Sequence, residues 1–404
     1  MPRSDGLLEA PSTDLSAGRI PLRAAHCPSC GLVQLLETRP AQEMFGEGYY
    51  YFSSYSDALL EHSRRHALDL METQPLSGES LVVEVASNDG YMLSNFAERG
   101  IPVLGIDPAR HPAEAAIAKG IETRIDFFTT ALAEALVAEG RRASLIIANN
   151  VVAHVADQND LVAAMAKLLA DDGTVVVEFP YVRDLVEHCE FDTIYHEHRC
   201  YFSVESARSL FARHGLQLVD ARRVAIHGGS LRLTFRRSGA PSAAADALLE
   251  EERAEGVNDA ATYADFGARV RRFREEGRAL IGALKADGCR IAAYGAAAKG
   301  TIMLNYLGLN ARVVEYAVDR NPHKHGRFIP GVNVPIRDPE VLLSDRPDYA
   351  IILPWNFRDE IVAQQAAYLK AGGSFIVPIP DLEVISAVEG VAADRRAAGA
   401  VAAE

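Results

Sequence analysis

Two series of short apolar runs, each alternating with helix-like stretches, set the strongest limit on how this chain folds. Parallel strands that are buried on both faces produce continuous apolar runs of this length, because neither face meets water. The first series comprises residues 81–85, 103–106, 145–148 and 174–179, and the second comprises residues 290–294, 313–318, 349–353 and 374–377. The pattern predicts an α/β fold with two open, doubly wound sheets.

The remaining pattern divides the chain into five segments. Apolar runs at residues 216–224 and 231–236 flank a turn and predict antiparallel strands added to one edge of the first sheet. The first 20 residues lack periodicity and predict a mobile lead-in. The predicted segments are an amino-terminal segment (1–75), a first sheet domain (76–240), a helical connection (241–288), a second sheet domain (289–390) and a tail (391–404).

Composition excludes several classes of protein. A formal net charge of -14 argues against binding to nucleic acid, whose backbone is recognised by basic faces. No apolar run reaches the length of a membrane span, and the amino terminus lacks the apolar core of a signal peptide, so we expect a cytoplasmic protein. The five cysteines are few and scattered, which argues against a disulfide framework. A small-molecule partner remains, and the sequence carries no signal for the oligomeric state.

A turn of small and polar residues after the first apolar run indicates a nucleoside cofactor. Residues 84–90, Glu-Val-Ala-Ser-Asn-Asp-Gly, join a strand to a helix that begins near Tyr91, where backbone donors can receive a polar or anionic group. Asp107 ends the next run, where a carboxylate accepts hydrogen bonds from ribose hydroxyls. The sequence has no Gly-x-Gly-x-x-Gly, which favours a compact nucleoside such as S-adenosylmethionine over a dinucleotide.

Residues 193–202, Thr-Ile-Tyr-His-Glu-His-Arg-Cys-Tyr-Phe, concentrate imidazoles, a carboxylate and phenols in one short stretch. Imidazoles transfer protons near neutral pH, so the stretch predicts acid/base chemistry beside the cofactor. Sequence chemistry alone does not rank Tyr195, Glu197 and His198, and a solvated loop is the structural alternative. His154 follows the third apolar run, and it is either a structural histidine or part of the ligand crevice.

The second series carries a similar turn, Tyr-Gly-Ala-Ala-Ala-Lys-Gly, at residues 294–300. One such turn is as compatible with tight packing as with ligand binding. Polar residues at or after the strand ends favour a polar ligand at this edge of the sheet. These residues are Lys299, Asn305, Asp319, Trp355, Asn356 and Arg358.

Cys27 and Cys30 form a Cys-x-x-Cys knuckle, a turn that aims two thiolates at one point as in zinc sites. A closed zinc site needs four ligands, and residues 1–25 contain no Cys or His, so His26 or a distant residue would have to complete it. Two free thiols in a metal-free loop are the alternative interpretation.

Taken in order, the motifs of this chain resemble those of the sugar C-methyltransferases that act on nucleotide-linked deoxy-keto-sugars. The resemblance spans residues 21–385 and rests on Cys-Pro-Ser-Cys-Gly-Leu-Val-Gln-Leu, Tyr-Phe-Ser-Ser-Tyr-Ser, Glu-Val-Ala-Ser-Asn-Asp-Gly, Asn-x-x-x-Ala-His-Val, Tyr-His-Glu-His, His-Gly-Gly-Ser-Leu-Arg and Tyr-Gly-Ala-Ala-Ala-Lys-Gly. It implies a small amino-terminal zinc domain, a central Rossmann-like domain that binds S-adenosylmethionine, and a carboxyl-terminal Rossmann-like domain that helps hold the sugar nucleotide. The implied reaction, typical of deoxysugar and natural-product biosynthesis, is methyl transfer to C-3 of a dTDP-4-keto-2,6-dideoxy sugar.

The resemblance also implies roles for individual residues. The catalytic set comprises His198 as the base, Tyr195 and Glu197 as positioning or polarising groups, and Tyr49 and His154, which complete the site. The cofactor set comprises Glu84, Ala86, Ser87, Asn88, Gly90, Asp107 and Asn149. The substrate set comprises His227, Lys299, Asn305, Trp355, Asn356 and Arg358.

The chain departs from the family pattern at two places. The family's zinc domain uses two Cys pairs, and this chain contains only the second pair, Cys27 and Cys30. Ala86 stands where the family usually has Gly, which is tolerable only if this residue keeps a negative φ and its methyl group clears the cofactor, and we expect both. Two rival functions remain: a keto-sugar epimerase that deprotonates the same carbon without methylating it, and a catalytically silent binding protein on the same scaffold.

Overall fold

The computed structural model describes residues 1–4, 6–45, 52–226 and 228–387, which fall into two compact units. The larger unit comprises Arg23–Val186 and His196–Ala264. The smaller unit comprises Met1–Leu22, Glu187–Tyr195 and the chain from Asp265 onward. Among the described residues, no helix combines the length and the apolar character needed to cross a membrane.

The first part of the chain alternates strands and helices, as its apolar runs predict. The elements up to residue 254 are β1 (Ala24–His26), β2 (Val33–Leu35), α1 (Ala41–Phe45), α2 (Asp57–Thr73), β3 (Val82–Val85), α3 (Ser94–Ala97), β4 (Val103–Ile106), α4 (Arg110–Ala118), β5 (Thr123–Arg124), α5 (Thr130–Ala138), β6 (Ala143–Asn149), α6 (Gln158–Leu168), β7 (Leu169–Pro180), α7 (Val182–Glu187), β8 (Cys200–Tyr201), α8 (Val204–Ala212), β9 (Gln217–Val224), β10 (Ser230–Arg236) and α9 (Ala243–Ala254). The long helix α10 (Ala260–Ala286) follows, and the boundary between the two units falls within it.

The described residues of the larger unit build a seven-stranded sheet in the order β5-β4-β3-β6-β7-β10-β9. Strands β5, β4, β3, β6 and β7 pair in parallel, and β10 pairs antiparallel with both β7 and β9. The predicted doubly wound sheet with an antiparallel edge is therefore confirmed. The strand order reverses between β3 and β6, and ligands of such sheets bind in the crevice at the carboxyl ends of the strands at this reversal.

Separate apolar cores cover the two faces of this sheet. Val83 and Val175 pack with α5, α6, α8 and α9 on one face, and Val82 and Val176 pack with α2, α3 and α4 on the other. Successive side chains of a strand point to opposite faces, so neighbouring residues of β3 and β7 belong to different cores. Helix α2 therefore lies over the face of the sheet that carries Val82 and Val176.

A second sheet of the larger unit consists of three antiparallel strands in the order β1-β2-β8. Strand β2 pairs with β1 through His26 and Val33, and with β8 through Gln34 and Cys200. The Cys-x-x-Cys knuckle connects β1 to β2, so this sheet joins the knuckle to the strand β8, which belongs to the His-rich stretch of residues 193–202.

The smaller unit contains the second alternating series. Its elements after α10 are β11 (Ile291–Tyr294), α11 (Ala298–Leu307), β12 (Ala317–Val318), β13 (Phe328–Ile329), β14 (Val334–Arg337), α12 (Val341–Asp345), β15 (Tyr349–Ile352), α13 (Arg358–Gln364), α14 (Ala366–Lys370), β16 (Ser374–Val377) and β17 (Glu383–Ser386). Within the described residues they form a seven-stranded sheet in the order β13-β14-β12-β11-β15-β16-β17, parallel except at its two edge strands. The second predicted sheet is confirmed.

The amino-terminal residues are part of the smaller unit, so the prediction of a mobile lead-in was wrong. The backbone of Leu8 pairs with Phe328 of β13 through hydrogen bonds of 2.9 and 2.8 Å in opposite directions. Asn333 binds the backbone of Ser12 with both ends of its amide, at 3.0 and 2.7 Å. Sequence periodicity does not reveal such a segment, because its hydrogen-bond partners lie more than 300 residues away along the chain.

Candidate active site

The turn after β3 has the shape of a ligand-binding loop at the carboxyl edge of the sheet. Ala86, Asn88 and Gly90 all have positive φ values, of 56°, 50° and 76°. The expectation of a negative φ at Ala86 was therefore wrong. A hydrogen bond of 2.7 Å from the Ala86 nitrogen to the Ile106 carbonyl holds the chain at the point where it leaves the strand and turns back. This sharp reversal requires left-handed backbone, which is costly for a residue with a side chain.

Asp107, at the end of β4, is buried and holds the turn in place. Its two carboxylate oxygens accept hydrogen bonds of 2.7 Å each, one from the Asn88 nitrogen and one from the Ala109 nitrogen. Burial raises the pKa of Asp107 to about 6, against the opposing effect of these two donors. Each oxygen keeps a second lone pair for a further donor. The carboxylate therefore lies where the sequence predicts, and it is also a structural part of the loop.

Several buried acceptors around this edge have no hydrogen-bond partner within the described part of the chain. These atoms are Glu84 Oε2, Ser87 Oγ, Asp89 Oδ1 and Asn149 Oδ1. Burial raises the pKa of Glu84 well above its ordinary value, and the nearby charges of Asp107 and Asp89 add to that effect. Orphaned buried polar groups are rare in folded proteins, because each one costs free energy. This cluster has the character of a site for a ligand that carries several N–H and O–H donors.

Two imidazoles of the larger unit meet next to this edge. The ring of His154 lies 4.8 Å from the ring of His198, measured between centroids, in an edge-on arrangement. His154 Nδ1 is 2.8 Å from the carbonyl oxygen of Glu197. A carbonyl can only accept, so Nδ1 carries the proton and Nε2 is left as the acceptor. Burial lowers the pKa of His154 to about 4, and the ring is neutral at pH 7.

The other predicted catalytic residues have different surroundings. Glu197 is buried in the larger unit, and its backbone carbonyl contacts His154 as described. The hydroxyl of Tyr201 donates to the His198 carbonyl at 2.8 Å, which ties down the backbone of the proposed base. Tyr195 is the last residue of the middle segment of the smaller unit. Tyr49 and the predicted substrate residue His227 lie outside the described residues.

The smaller unit assembles a polar cluster from three of the predicted substrate residues and one that the sequence did not indicate. Lys299 Nζ donates to Asn356 Oδ1 at 2.8 Å and lies 4.2 Å from the centre of the Trp355 ring. The indole nitrogen of Trp355 donates to both carboxylate oxygens of the buried Asp192, at 3.0 and 3.3 Å. Burial raises the pKa of Asp192 to about 7, against the opposing charge of Lys299, and burial lowers the pKa of Lys299. The position of Asp192 just before the His-rich stretch was the one available sequence signal.

Two other predicted substrate residues have partners within the fold. The amide nitrogen of Asn305 donates to the carbonyls of Thr301 and Pro330, at 2.8 and 2.9 Å. Arg358 pairs with Glu383 at 2.8 Å and with Asp359 at 3.2 Å. Both side chains thus help to hold the smaller unit together.

Cys27 and Cys30 are both free thiols. Backbone N–H groups of Ser29 and Cys30 lower the pKa of Cys27, so the knuckle stabilises a thiolate there. Within residues 1–4, 6–45, 52–226 and 228–387, no group of three or more His, Cys, Asp or Glu side chains is arranged to hold a metal ion. The two thiols therefore have no further protein ligands within the described residues.

Comparison with known proteins matches both halves of the chain. A family model described as a methyltransferase domain matches residues 58–221, and one described as a C-methyltransferase C-terminal domain matches residues 225–380. The C-methyltransferase NovU of Streptomyces niveus is 36% identical over 370 residues, which cover 91% of this chain and 88% of that protein. A ubiquinone biosynthesis O-methyltransferase of Bartonella quintana is 34% identical over 98 residues, which cover 24% of this chain and 39% of that protein. Among solved structures, magnesium protoporphyrin IX methyltransferase of Synechocystis is 15% identical with a TM-score of 0.34, covering 49% of this chain and 89% of that one.

Proposed function

The chain belongs to the S-adenosylmethionine-dependent C-methyltransferases, and from this premise we propose that it methylates C-3 of a dTDP-4-keto-2,6-dideoxy sugar or a related nucleotide-linked keto sugar. The order of the sequence motifs supports this substrate class. The observation that carries the proposal is the imidazole pair of His154 and His198, 4.8 Å apart beside the cofactor edge. A carbon acid next to a ketone needs a base of this kind before it can attack a methyl group.

The unpartnered acceptors at the cofactor edge support the binding of S-adenosylmethionine there. When bound, the cofactor supplies an electrophilic methyl group on a positively charged sulfur. Its ammonium, adenine amine and ribose hydroxyls are all donors, which matches the orphaned acceptors of Glu84, Ser87, Asp89 and Asn149. We assign the ribose hydroxyls to Asp107, and the remaining contacts to the turn formed by Ala86, Asn88 and Gly90.

The two histidines have different roles in this proposal. His198 removes the proton from C-3 and holds it as an imidazolium. The enolate carbon would then bond to the methyl group as the methyl–sulfur bond breaks, which restores the ketone and leaves the cofactor as a neutral thioether. His154 holds its proton on Nδ1 against the Glu197 carbonyl, so it stays neutral and keeps the neighbouring imidazole in place. Its low pKa makes it a weaker base than an ordinary histidine. Glu197 and Tyr195 position or polarise the ketone in this proposal, and Tyr49 completes the site.

The polar cluster of the smaller unit receives the substrate. Lys299 provides a cation for the substrate's phosphates, and Asn356 restrains its side chain through a hydrogen bond of 2.8 Å. Trp355 is held by Asp192, so its indole is fixed as an apolar surface next to the ammonium group. Loss of Asp192 would free the indole and remove the larger of the two carboxylate charges that raise the pKa of Lys299 against the effect of its burial.

The proposal is tested with a panel of nucleotide-linked keto sugars. The purified chain is incubated with each sugar and S-adenosylmethionine, and mass spectrometry follows the replacement of one hydrogen by a methyl group. His198→Asn should reduce methyl transfer by about 10²–10⁴-fold and leave cofactor affinity nearly unchanged. His214→Asn is the matched control, because His214 contacts Asn159 and lies outside the proposed site.

Deuterated water separates the rival functions. The parent chain should exchange the hydrogen at C-3 in the absence of methyl transfer, and His198→Asn should lose that exchange. Exchange with epimerisation and no methyl product on any sugar would indicate the epimerase, and neither reaction would indicate a silent scaffold. Near-normal turnover in His198→Asn would transfer the role of base to His154 or Tyr195.

A further inference from the structure

A cavity of about 330 Å³, lined by charged and polar residues together with a few apolar ones, lies within the larger unit on the face of the sheet that α2 covers. Strand β10 carries Leu231, Leu233 and Phe235 on the face that packs into the apolar core. Its alternate residues Arg232, Thr234 and Arg236 point to the other face and line the cavity. Helix α2 closes the opposite wall with His66, Asp69, Leu70 and Thr73.

The cavity extends toward the end of the sheet opposite to the cofactor edge. Val176 of β7 pairs with Thr234, and Glu178 pairs with Arg232, so Arg236 lies at the level of Thr174. Thr174 is level with Leu145 at the beginning of β6, whereas Glu178 is level with Asn149 at its end. Four residues of strand separate these two levels, or roughly 13 Å at about 3.3 Å per residue. The Arg236 end of the cavity is therefore distinct from the site proposed for methyl transfer.

His66 is the feature that sets this cavity apart from a solvated strand face. The residue is 1% exposed, and neither ring nitrogen has a hydrogen-bond partner within the described residues. Burial and the nearby charge of Arg232 lower the pKa of His66 to about 3, so the ring is neutral. A neutral imidazole offers one donor and one acceptor, and leaving both unmade inside a fold is costly. The cavity wall therefore carries a buried polar group without a partner.

The arginines of the cavity differ in how their charge is balanced. Arg232 pairs with Glu178 at 2.8 Å, and Arg222 pairs with Asp220 and Asp69 at 2.9 and 3.4 Å. Arg236 instead donates to neutral oxygens, those of Thr174 at 3.0 Å and Gln74 at 2.9 Å. No described carboxylate pairs with it. Its guanidinium is therefore oriented by neutral hydrogen bonds, and the two carboxylates that line the cavity, Asp69 and Asp220, pair with Arg222 instead.

We propose that this cavity binds a small oxyanion, a phosphate or carboxylate group, with Arg236 as the charged anchor and His66 as a buried donor. A guanidinium presents several N–H groups in one plane, which suits two oxygens of one anion. The hydroxyls of Thr234 and Ser238 line the same space and provide further donors. The site is independent of the proposed substrate, because its anchor lies at the other end of the sheet.

Isothermal calorimetry on the full chain, with inorganic phosphate and malonate as separate probes, tests the proposal. We expect saturable binding of one or both anions, weakened at least ~10-fold by Arg236→Gln. His66→Phe keeps the volume of the ring, removes both nitrogens and should also weaken binding. Arg208→Gln is the matched control, because Arg208 pairs with Glu205 on the surface of α8 and should leave binding unchanged.

Other outcomes decide between anions and between sites. Phosphate binding alone would identify a phosphate ligand, and malonate binding alone a carboxylate ligand. Binding that survives Arg236→Gln but disappears in Lys299→Met would belong to the substrate cluster and would overturn the proposal. Absence of saturable binding in the parent chain would overturn it as well. Imidazole nitrogen resonances of His66 should shift on titration in the parent chain, which tests the site without any substitution.

Discussion

The positive φ of Ala86 predicts that glycine at this position stabilises the larger unit. A left-handed conformation costs a residue with a side chain about 1–2 kcal/mol, and glycine escapes that cost. Against this gain, glycine increases the conformational entropy of the unfolded chain, which lowers the free energy of unfolding by about 0.5–1 kcal/mol. The substitution also removes one methyl group, and the loss of its burial lowers the free energy of unfolding by no more than about 0.8 kcal/mol. Ala86 is only partly buried, so the net change in the free energy of unfolding should lie between about zero and +1 kcal/mol.

Ala164 provides the matched control. It lies in the middle of helix α6, where the backbone is ordinary right-handed helix, and it is 0% exposed. Ala164→Gly incurs the same entropy and burial costs without any relief of strain, so it should destabilise the unit by about 1–2 kcal/mol. The two variants should differ by about 2 kcal/mol. For a unit of this size that corresponds to about 4–8 °C in the midpoint of thermal unfolding.

Scanning calorimetry measures this difference directly. The chain has a single tryptophan, Trp355, which belongs to the smaller unit. Its fluorescence therefore follows the smaller unit and provides an internal reference that neither substitution should shift. If Ala86→Gly lowers the calorimetric transition as much as Ala164→Gly does, then Ala86 is not strained and the reasoning is refuted.

Three further predictions follow from the buried groups and the knuckle. Burial raises the pKa of Asp107 from 3.8 to about 6, so its contribution to stability is largest below pH 4 and is lost as the pH rises to about 6. Asp107→Asn should abolish this decline in unfolding titrations. Asp107→Ala should weaken S-adenosylmethionine binding at least about 10-fold, as measured by calorimetry. Burial lowers the pKa of His154 from 6.5 to about 4, so its contribution to stability is present above pH 6.5 and is lost as the pH falls toward 4. His154→Asn should therefore flatten the dependence of stability on pH between these two values. Elemental analysis should find little zinc, because Cys27 and Cys30 supply only half of a closed ligand set. Near-stoichiometric zinc that disappears in the double variant Cys27→Ser, Cys30→Ser would contradict this expectation.

The sheets were predictable because their central strands are buried on both faces. Val82–Val85 is apolar at all but one position, and every residue in it is buried, so the sequence pattern and the structure coincide. Short edge strands do not produce an apolar run of this kind in the sequence. Thr123–Arg124 and Phe328–Ile329 are two residues each, and neighbouring strands and loops define them rather than their own composition.

The candidate sites were only partly predictable, because tertiary contacts decide burial. Asp107 was expected at a strand end from the repeat of strands and helices, and it lies there. His66 carried no such signal, and Asp192 carried only its position before the His-rich stretch, since acidic and imidazole side chains are normally solvated and nothing local marks these two as buried. The φ of Ala86 was mispredicted because alanine normally avoids left-handed backbone, and the hydrogen bond to Ile106 overrides that preference.

The pairing of Leu8 with Phe328 has a consequence for how the protein is made on the ribosome. The two residues are 320 positions apart, so at about 5–20 residues per second Leu8 waits roughly 16–64 s for its partner strand to be synthesised. During that interval Leu8 and its neighbours lack the edge strand β13 with which they later pair. Completion of the smaller unit must therefore await synthesis of its last described strand, β17 (Glu383–Ser386), and a nascent chain stalled before residue 328 should leave residues 6–12 open to proteases.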